Sequence, residues 1–331
     1  MLFVSVASGD AFAGRYWFFD YLKQSVEIRT VGTRMSFNLP LRSLMLRTVL
    51  DVFSALRSLR EYDVVVSVDL VNATFLEIAR RILGAKNTHV IIDTVGSYYL
   101  TQRKLWTFAA SKLFVDAVVV CQFEYLTHIW RRVIKSYRAI HYIDLGADQS
   151  QLKGTTSNKG YIYSEGRSNR DFRSLVKACT DGIDMPLYIC GWGKVLEELR
   201  ETGGNSEIHI YDHATGPQQD DLLRNCAFVV VPLNGYLPPA GGTTVRRAMA
   251  AGKAVIATHN ADVDCHIQNG VEGLLYRAGD VATLNSCVKR LSHNSTEIAR
   301  FGLNARRKMA DRSYGMSAKR FWQILTECVQ R

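Results

Sequence analysis

The sequence predicts two doubly wound α/β domains in tandem. Three observations carry this expectation. Short, nearly unbroken Val/Ile strands alternate with amphipathic helical stretches, a polar stretch without periodicity (Asp148–Lys159, DQSQLKGTTSNK) interrupts the alternation, and a second alternating series starts at Tyr161. Strands that are apolar throughout and separated by helices imply parallel sheets covered on both faces. A chain of 331 residues also fits about two domains.

The elements follow in order. Leu2–Val6 reads as the first strand; Ser8-Gly9-Asp10 and Gly14 form a loop before a helix over about Arg15–Gln24, and Val26–Val31 is the second strand. Leu41–Arg60 is a long helix, with Leu44, Val49, Val52, Phe53, Leu56 and Leu59 at helical spacing. Val64–Val68, His89–Ile92, Val115–Cys121 and Ala139–Ile143 continue as strands, with helices over Ala73–Leu83, Lys104–Leu113 and Tyr125–Lys135 between them. The second series has strands at Tyr161–Tyr163, Leu187–Cys190, Ile208–Tyr211, Phe228–Val231, Ala254–Ala257 and Gly273–Tyr276. The expected division is a first domain over 1–147, a linker over 148–159 and a second domain over 160–312. A last helix, 313–331, is expected to cross back to the first domain. In such sheets ligands sit beyond the carboxyl ends of the strands, so the site is expected in a cleft between the two facing domains.

Composition narrows the class. Hydrophobic residues make up 47% and charged residues 22%, ordinary for a globular protein. No apolar run approaches the ~20 residues of a membrane span, and the start lacks the basic region of a cleaved leader. The expected location is therefore cytoplasmic. Seven cysteines are scattered without a C-x-x-C pair, which reads as reduced buried thiols and gives no support for cysteine-bound metal. The formal net charge is +10, and its sharpest bias is at Arg29, Arg34, Arg42, Arg47, Arg57 and Arg60, opposed before Glu61 by Asp51 alone. Basic character of this kind suits an anionic membrane surface, nucleic acid or anionic small molecules.

The most informative stretch is Cys226–Asp280. An apolar strand enters a Pro/Gly-rich loop ending in Gly241-Gly242-Thr243-Thr244; a helix follows to about Ala251, Gly252 stops it, and a second apolar strand follows at once. A glycine-threonine loop between strand and helix aims backbone N–H groups and the positive helix end at one point, which suits phosphate. A tight turn with an N-cap threonine has the same spelling.

In its order of residues this stretch resembles the nucleotide-sugar half of GT-B glycosyltransferases, the family-4-like group (glycosyltransferases group 1). The resemblance is carried by Pro232, Gly241, Ala248-Met249-Ala250, Gly252, Val255-Ile256-Ala257-Thr258, Ile267, Gly270, Gly273-Leu274-Leu275 and Gly279-Asp280. Leu145-Gly146-Ala147-Asp148, Glu165-Gly166-Arg167 with Ser168–Phe172, and Cys190-Gly191-Trp192-Gly193 are similar to the family's further landmarks, so the likeness spans the layout. It implies a GT-B fold, a nucleoside-diphosphate sugar as donor on the second domain and a hydroxyl acceptor on the first. It also implies that a cation from Arg167 or Arg170, with Gly241, Gly242, Thr243 and Thr244, holds the diphosphate; Tyr211 ends a strand near where the family holds the nucleotide base, and its favoured reading is a core or surface tyrosine. No metal or other cofactor is expected; Asp262-Val263-Asp264 reads as a cap to the next short helix.

One departure matters. Many retaining members carry two glutamates eight positions apart, one meeting the donor sugar and the other the ribose; the matching positions here are Pro239 and Arg247, which places Arg247 in the donor sugar or ribose neighbourhood. Neither side chain accepts a hydrogen bond from a sugar hydroxyl. Three readings stay open: an unusual donor whose anion pairs with Arg246 or Arg247, a divergent inverting enzyme, or a non-catalytic homologue binding a nucleotide or partner. An inverting enzyme needs a general base in the first domain. Asp93 and Asp10 are the candidates carried forward, Asp69 being a third strand-end acid; Asp93 alternatively caps the turn after its strand. The basic Arg34–Arg60 region is expected to dock on anionic lipid, at ~1 kcal/mol per basic residue. That placement at the inner face of a membrane fits a lipid-linked or polysaccharide acceptor. The same charge would suit modified nucleic acid, the less favoured acceptor.

Overall fold

The computed structural model describes residues 2–4, 29–31, 59, 61–68, 70–93, 104–134, 140–147, 155–167, 169–192, 194–202, 207–212 and 216–329. Asp10, Asp69, the helix expected over Leu41–Arg60 (Leu59 apart) and Arg34 lie outside these. The chain divides into two compact units, Met1–Leu145 with Tyr314–Arg331, and Gly146–Ser313. Both are mixed α/β with wholly parallel sheets.

In the first unit the strands are β1 (Leu2–Val4), β2 (Arg29–Val31), β3 (Val64–Val68), β4 (Thr88–Asp93), β5 (Val118–Cys121) and β6 (Ile140–Tyr142), ordered β2-β1-β3-β4-β5-β6. Helices α1 (Leu70–Ile82), α2 (Lys104–Leu113) and α3 (Glu124–Val133) connect them. β3, β4 and β5 are buried nearly throughout, as runs of Val and Ile covered on both faces must be. The last helix of the chain, α10 (Tyr314–Val329), completes this unit: Ala318, Phe321, Ile324 and Leu325 pack on Val64, Val66 and Val68, and Ser317 Oγ donates to the Asp144 carbonyl.

Inside this unit a buried polar cluster joins α1 to the sheet. Glu77 accepts from Arg80, Arg81 and His89 Nδ1, and His89 Nε2 lies 2.8 Å from Ser67 Oγ. The sequence gives His89 no acid at a telling spacing; the fold supplies one from twelve residues earlier. Burial would raise the Glu77 carboxyl, but the hydrogen bonds from His89, Arg80 and Arg81 outweigh it and bring it down to about 2. Burial pushes His89 below its ordinary value, so the folded imidazole is neutral at pH 7, with Glu77 opposing the shift. A depressed carboxyl contributes stability that is present above the unfolded pKa near 4.5 and lost as pH falls toward 2. A depressed imidazole contributes stability present above about 6.5 and lost on acidification. The melting temperature of this unit is therefore expected to fall as pH drops from 7 toward 2, the His89 contribution going first and the Glu77 contribution below about 4.5. Glu77→Gln is expected to melt lower at pH 7 and to show a shallower acid slope; an unchanged slope in calorimetry would disprove the assignment.

The second unit contains β7 (Ile162–Gly166), β8 (Leu187–Gly191), β9 (Ile208–Asp212), β10 (Phe228–Val231), β11 (Ala254–Thr258) and β12 (Gly273–Tyr276), in the order β12-β11-β10-β7-β8-β9. Its helices are α4 (Phe172–Cys179), α5 (Lys194–Thr202), α6 (Gly216–Asn225), α7 (Gly242–Ala250), α8 (Val281–Ser292) and α9 (Ser295–Met309). The chain winds outward from β7 to β9, then returns to β10 beside β7 and winds the other way. The switch point thus lies between the carboxyl ends of β7 and β10. Asp171, Asp280 and Asn294 cap α4, α8 and α9 by accepting from Ser174, Thr283 and Glu297 N–H. The part of the expected linker that is described belongs to this unit. Ser157 and Lys159 N–H donate to the Arg224 and Asn225 carbonyls, and buried Lys253 donates to Ser157 and Cys226 carbonyls. A polar composition without periodicity conceals such backbone anchoring.

Candidate functional site

The site is built at the switch point. β7 ends in Glu165-Gly166, and the chain turns back through Asn169, held at φ 57°, so that Arg170 pairs by a backbone bridge with Leu233 just past β10. Arg170 Nε donates to the Glu165 carbonyl at 2.9 Å, and its NH2 donates to Thr244 Oγ1 at 3.1 Å, so it spans β7 and α7. A Cβ on Gly166 would overlap the guanidinium, so only glycine leaves Arg170 this place. Burial lowers Arg170 to about 10, with Glu165 and Asp262 opposing, and it stays a cation at neutral pH. Arg167 is exposed and lies over the Trp192 ring, 3.9 Å from its centre. Arg170 and Thr244 are thus brought together as the sequence expects, while Arg167 stacks on Trp192, just past β8.

The helix start differs from expectation in one respect. Gly241 is the N-cap of α7, but the Gly242 N–H donates to Asp262 Oδ2 at 2.6 Å and does not stand open to phosphate. A Cβ on Gly242 would overlap that carboxylate. The next N–H groups, those of Thr243 and Thr244, have no intrahelical acceptor by position and remain the donors an anion would meet. Asp262 was expected to cap the short turn after it; it caps α7 instead, because β11 brings its loop against the start of that helix. Arg246, also buried, donates to His266 Nε2 at 3.0 Å and lies 3.8 Å from Asp262. Among the described residues, Asp262, Cys265 and His266 offer metal-ligand atoms within 4.8 Å of one another. The fixed charge of Arg246 already neutralises that group and occupies one imidazole nitrogen.

Arg247 was expected beside the donor sugar or ribose. Its guanidinium instead pairs with Glu165 Oε1 and, at 2.7 Å, with Asp220 Oδ1. The second Glu165 oxygen accepts from Tyr163 OH at 2.9 Å. The pull of Glu165 and Asp220 outweighs burial and raises the Arg247 pKa further. With Arg246 and Arg247 both engaged by protein groups, an anionic donor held by either loses its physical basis. Tyr211 packs against Tyr188, ring centres 5.7 Å apart, at the margin of the second unit's core. It stays partly exposed, so its packing on Tyr188 agrees with a core or surface tyrosine.

In the first unit, Asp93 ends β4 with no exposed surface and accepts from Trp130 Nε1 at 2.6 Å. It fastens α3 to the sheet. A general base must reach the acceptor hydroxyl, and a carboxylate enclosed in this way does not, so the catalytic role expected for Asp93 is withdrawn.

Sequence reasoning missed Asn260. Fully buried after β11, it donates to the Gly235 and Pro238 carbonyls and accepts from Ala240 and Asp262 N–H. It fixes the loop before α7 to the loop after β11. The signal available was an amide two residues past the strand Ala254–Thr258, where a buried polar group needs partners.

Residues 169–294 match the model of the group 1 glycosyl transferases. No curated protein matches the sequence. Among solved structures, Anabaena HepE in complex with UDP is 15% identical, with a TM-score of 0.75 and coverage of 98% of this chain and 99% of its own. Sucrose-phosphate synthase from Thermosynechococcus elongatus is 14% identical, with a TM-score of 0.77 and coverage of 99% and 98%. The trehalose 6-phosphate synthase of Burkholderia multivorans is 10% identical, with a TM-score of 0.72 and the same coverage. The fold shared with these structures is GT-B.

Proposed function

We propose that this chain is a GT-B glycosyltransferase that moves a sugar from a nucleoside-diphosphate donor to a hydroxyl acceptor, with the donor on the second unit. The observation that carries the reading is Arg170, held between the Glu165 carbonyl and the Thr244 hydroxyl at the switch point. When the bond from the sugar to the diphosphate breaks, negative charge gathers on the departing phosphate. A cation already fixed in place stabilises that charge without reorganising. Thr243 and Thr244 N–H, at the positive end of α7, add donors to the same anion. A uridine diphosphate sugar is the first donor to test, since the HepE structures hold UDP and UDP-glucose. The acceptor we assign is a lipid-linked or polysaccharide precursor at an anionic membrane surface. The support for it is the arginine bias between Arg34 and Arg60. No described helix is long and apolar enough to cross a membrane, so contact would be peripheral.

Thermal unfolding with UDP, GDP, CMP, dTDP and their sugars tests the donor. A ligand at 100 times its Kd that binds the folded state alone adds about 2.7 kcal/mol. One nucleotide is expected to raise Tm by several degrees, and Arg170→Ala to reduce the rise with the free diphosphate more than the rise with its sugar; no rise with any of them would refute the donor assignment. Flotation with anionic against neutral vesicles tests the acceptor assignment, which fails if the protein floats with neither.

A further inference from the structure

A second group of residues in the second unit bounds an open basin. Tyr236 from the loop before α7, His259 after β11, and Arg277 and Ala278 after β12 line this basin, whose volume is about 440 Å³. All of it belongs to the second unit and sits at the carboxyl ends of strands, the side on which this sheet class binds ligands. Its size is that of a small-ligand pocket.

The basin is built rather than incidental. Asn260, without exposed surface, ties the Tyr236 loop to the His259 loop through Gly235, Pro238 and Ala240, and Ala261 N–H donates to the Tyr236 carbonyl. The Tyr236 side chain nevertheless stays half exposed, at 51%. Asp264 Oδ1 lies 3.2 Å from His259 Nδ1, which orients the imidazole and leaves Nε2 as the nitrogen available to a ligand. Arg277, also lining the basin, is exposed. An aromatic face, a guanidinium and an oriented imidazole form a complementary set for one ligand chemistry. The ring offers an apolar, amphipathic surface to a pyranose, and the guanidinium offers a planar fork to phosphate or carboxylate.

We propose that this basin binds a monosaccharide bearing a phosphate or carboxylate group, stacked on Tyr236 with its anion between Arg277 and His259. Its place in the reaction rests on the glycosyltransferase reading; the binding itself does not, and is measured without nucleotide. Calorimetric titration of the full chain with glucose 6-phosphate, glucuronate, glucose and inorganic phosphate is the test. At least one of the two acidic sugars is expected to bind saturably and more tightly than glucose or phosphate. Arg277→Ala is expected to weaken it about tenfold or more, and Tyr236→Ala to weaken it several-fold, with melting temperature and nucleotide response unchanged. Wild-type protein that binds UDP but neither acidic sugar would overturn the proposal, as would equal binding by Arg277→Ala. Phosphate binding as tightly as the sugars would overturn the sugar half. Acidic-sugar binding lost in Arg277→Ala, with no nucleotide response, would sustain the basin and sink the donor assignment.

Discussion

Arg247→Met is expected to lower the stability of the second unit by about 3–5 kcal/mol, the range for leaving one partner of a buried ion pair alone. Glu165 has 4% of its side chain exposed, and Arg247 16%. Removing the guanidinium takes the direct ion pair from a buried carboxylate, which keeps only the Tyr163 hydroxyl and the more distant charge of Arg170. At about 2–4 °C per kcal/mol for a unit of this size, the melting temperature should drop by on the order of 10 °C. The Asp220 arm is different. Its carboxylate is 40% exposed, so water screens the pair, and Asp220→Asn should cost under about 1 kcal/mol. Glu165→Gln combined with Arg247→Met should lose less than the two single changes added together, because neither charge is then abandoned. Strict additivity would show that the pair is not coupled. Denaturant unfolding of the four variants decides this.

This cluster also shows what a sequence conceals. The strands were legible because Val64–Val68, Phe228–Val231 and Ala254–Thr258 are almost wholly apolar, Ser67 and Thr258 apart, and a strand buried on both faces allows little else. The segment around α7 was legible because its glycines and small residues follow one another closely along the chain. Arg170 and Thr244 were named, although 74 positions separate them, because each ends an element pointing at the switch point. Glu165 and Arg247 are 82 positions apart, and nothing local marks them as partners. Arg247 was therefore read from the residue it replaces, and that reading placed it against substrate. Asp93 failed for a related reason. A strand-end acid has the same spelling whether it faces solvent or an indole; Trp130, 37 positions on, decides.

Arg170→Ala is expected to reduce kcat/KM by about 10²–10³-fold, the effect of deleting one fixed group that stabilises charge in the transition state. In the proposed reaction most of the loss should fall on kcat, since the diphosphate would gain its extra charge only as the glycosidic bond breaks. Arg170→Lys keeps the charge but cannot donate at once to the Glu165 carbonyl and Thr244 Oγ1 as the planar fork does. It should recover only part of the rate. A folded Arg170→Ala enzyme with full kcat would move the role to Arg167, which stands over Trp192 past the neighbouring strand. Gly166→Ala provides a control that leaves Arg170 in the sequence. Its new Cβ would occupy the space of the guanidinium at a φ of 137° that favours glycine. The arginine must then leave its position, and activity should fall with it. Loss of rate in both variants, one without the charge and one with the charge displaced, would mean that the position of the cation matters as much as its presence.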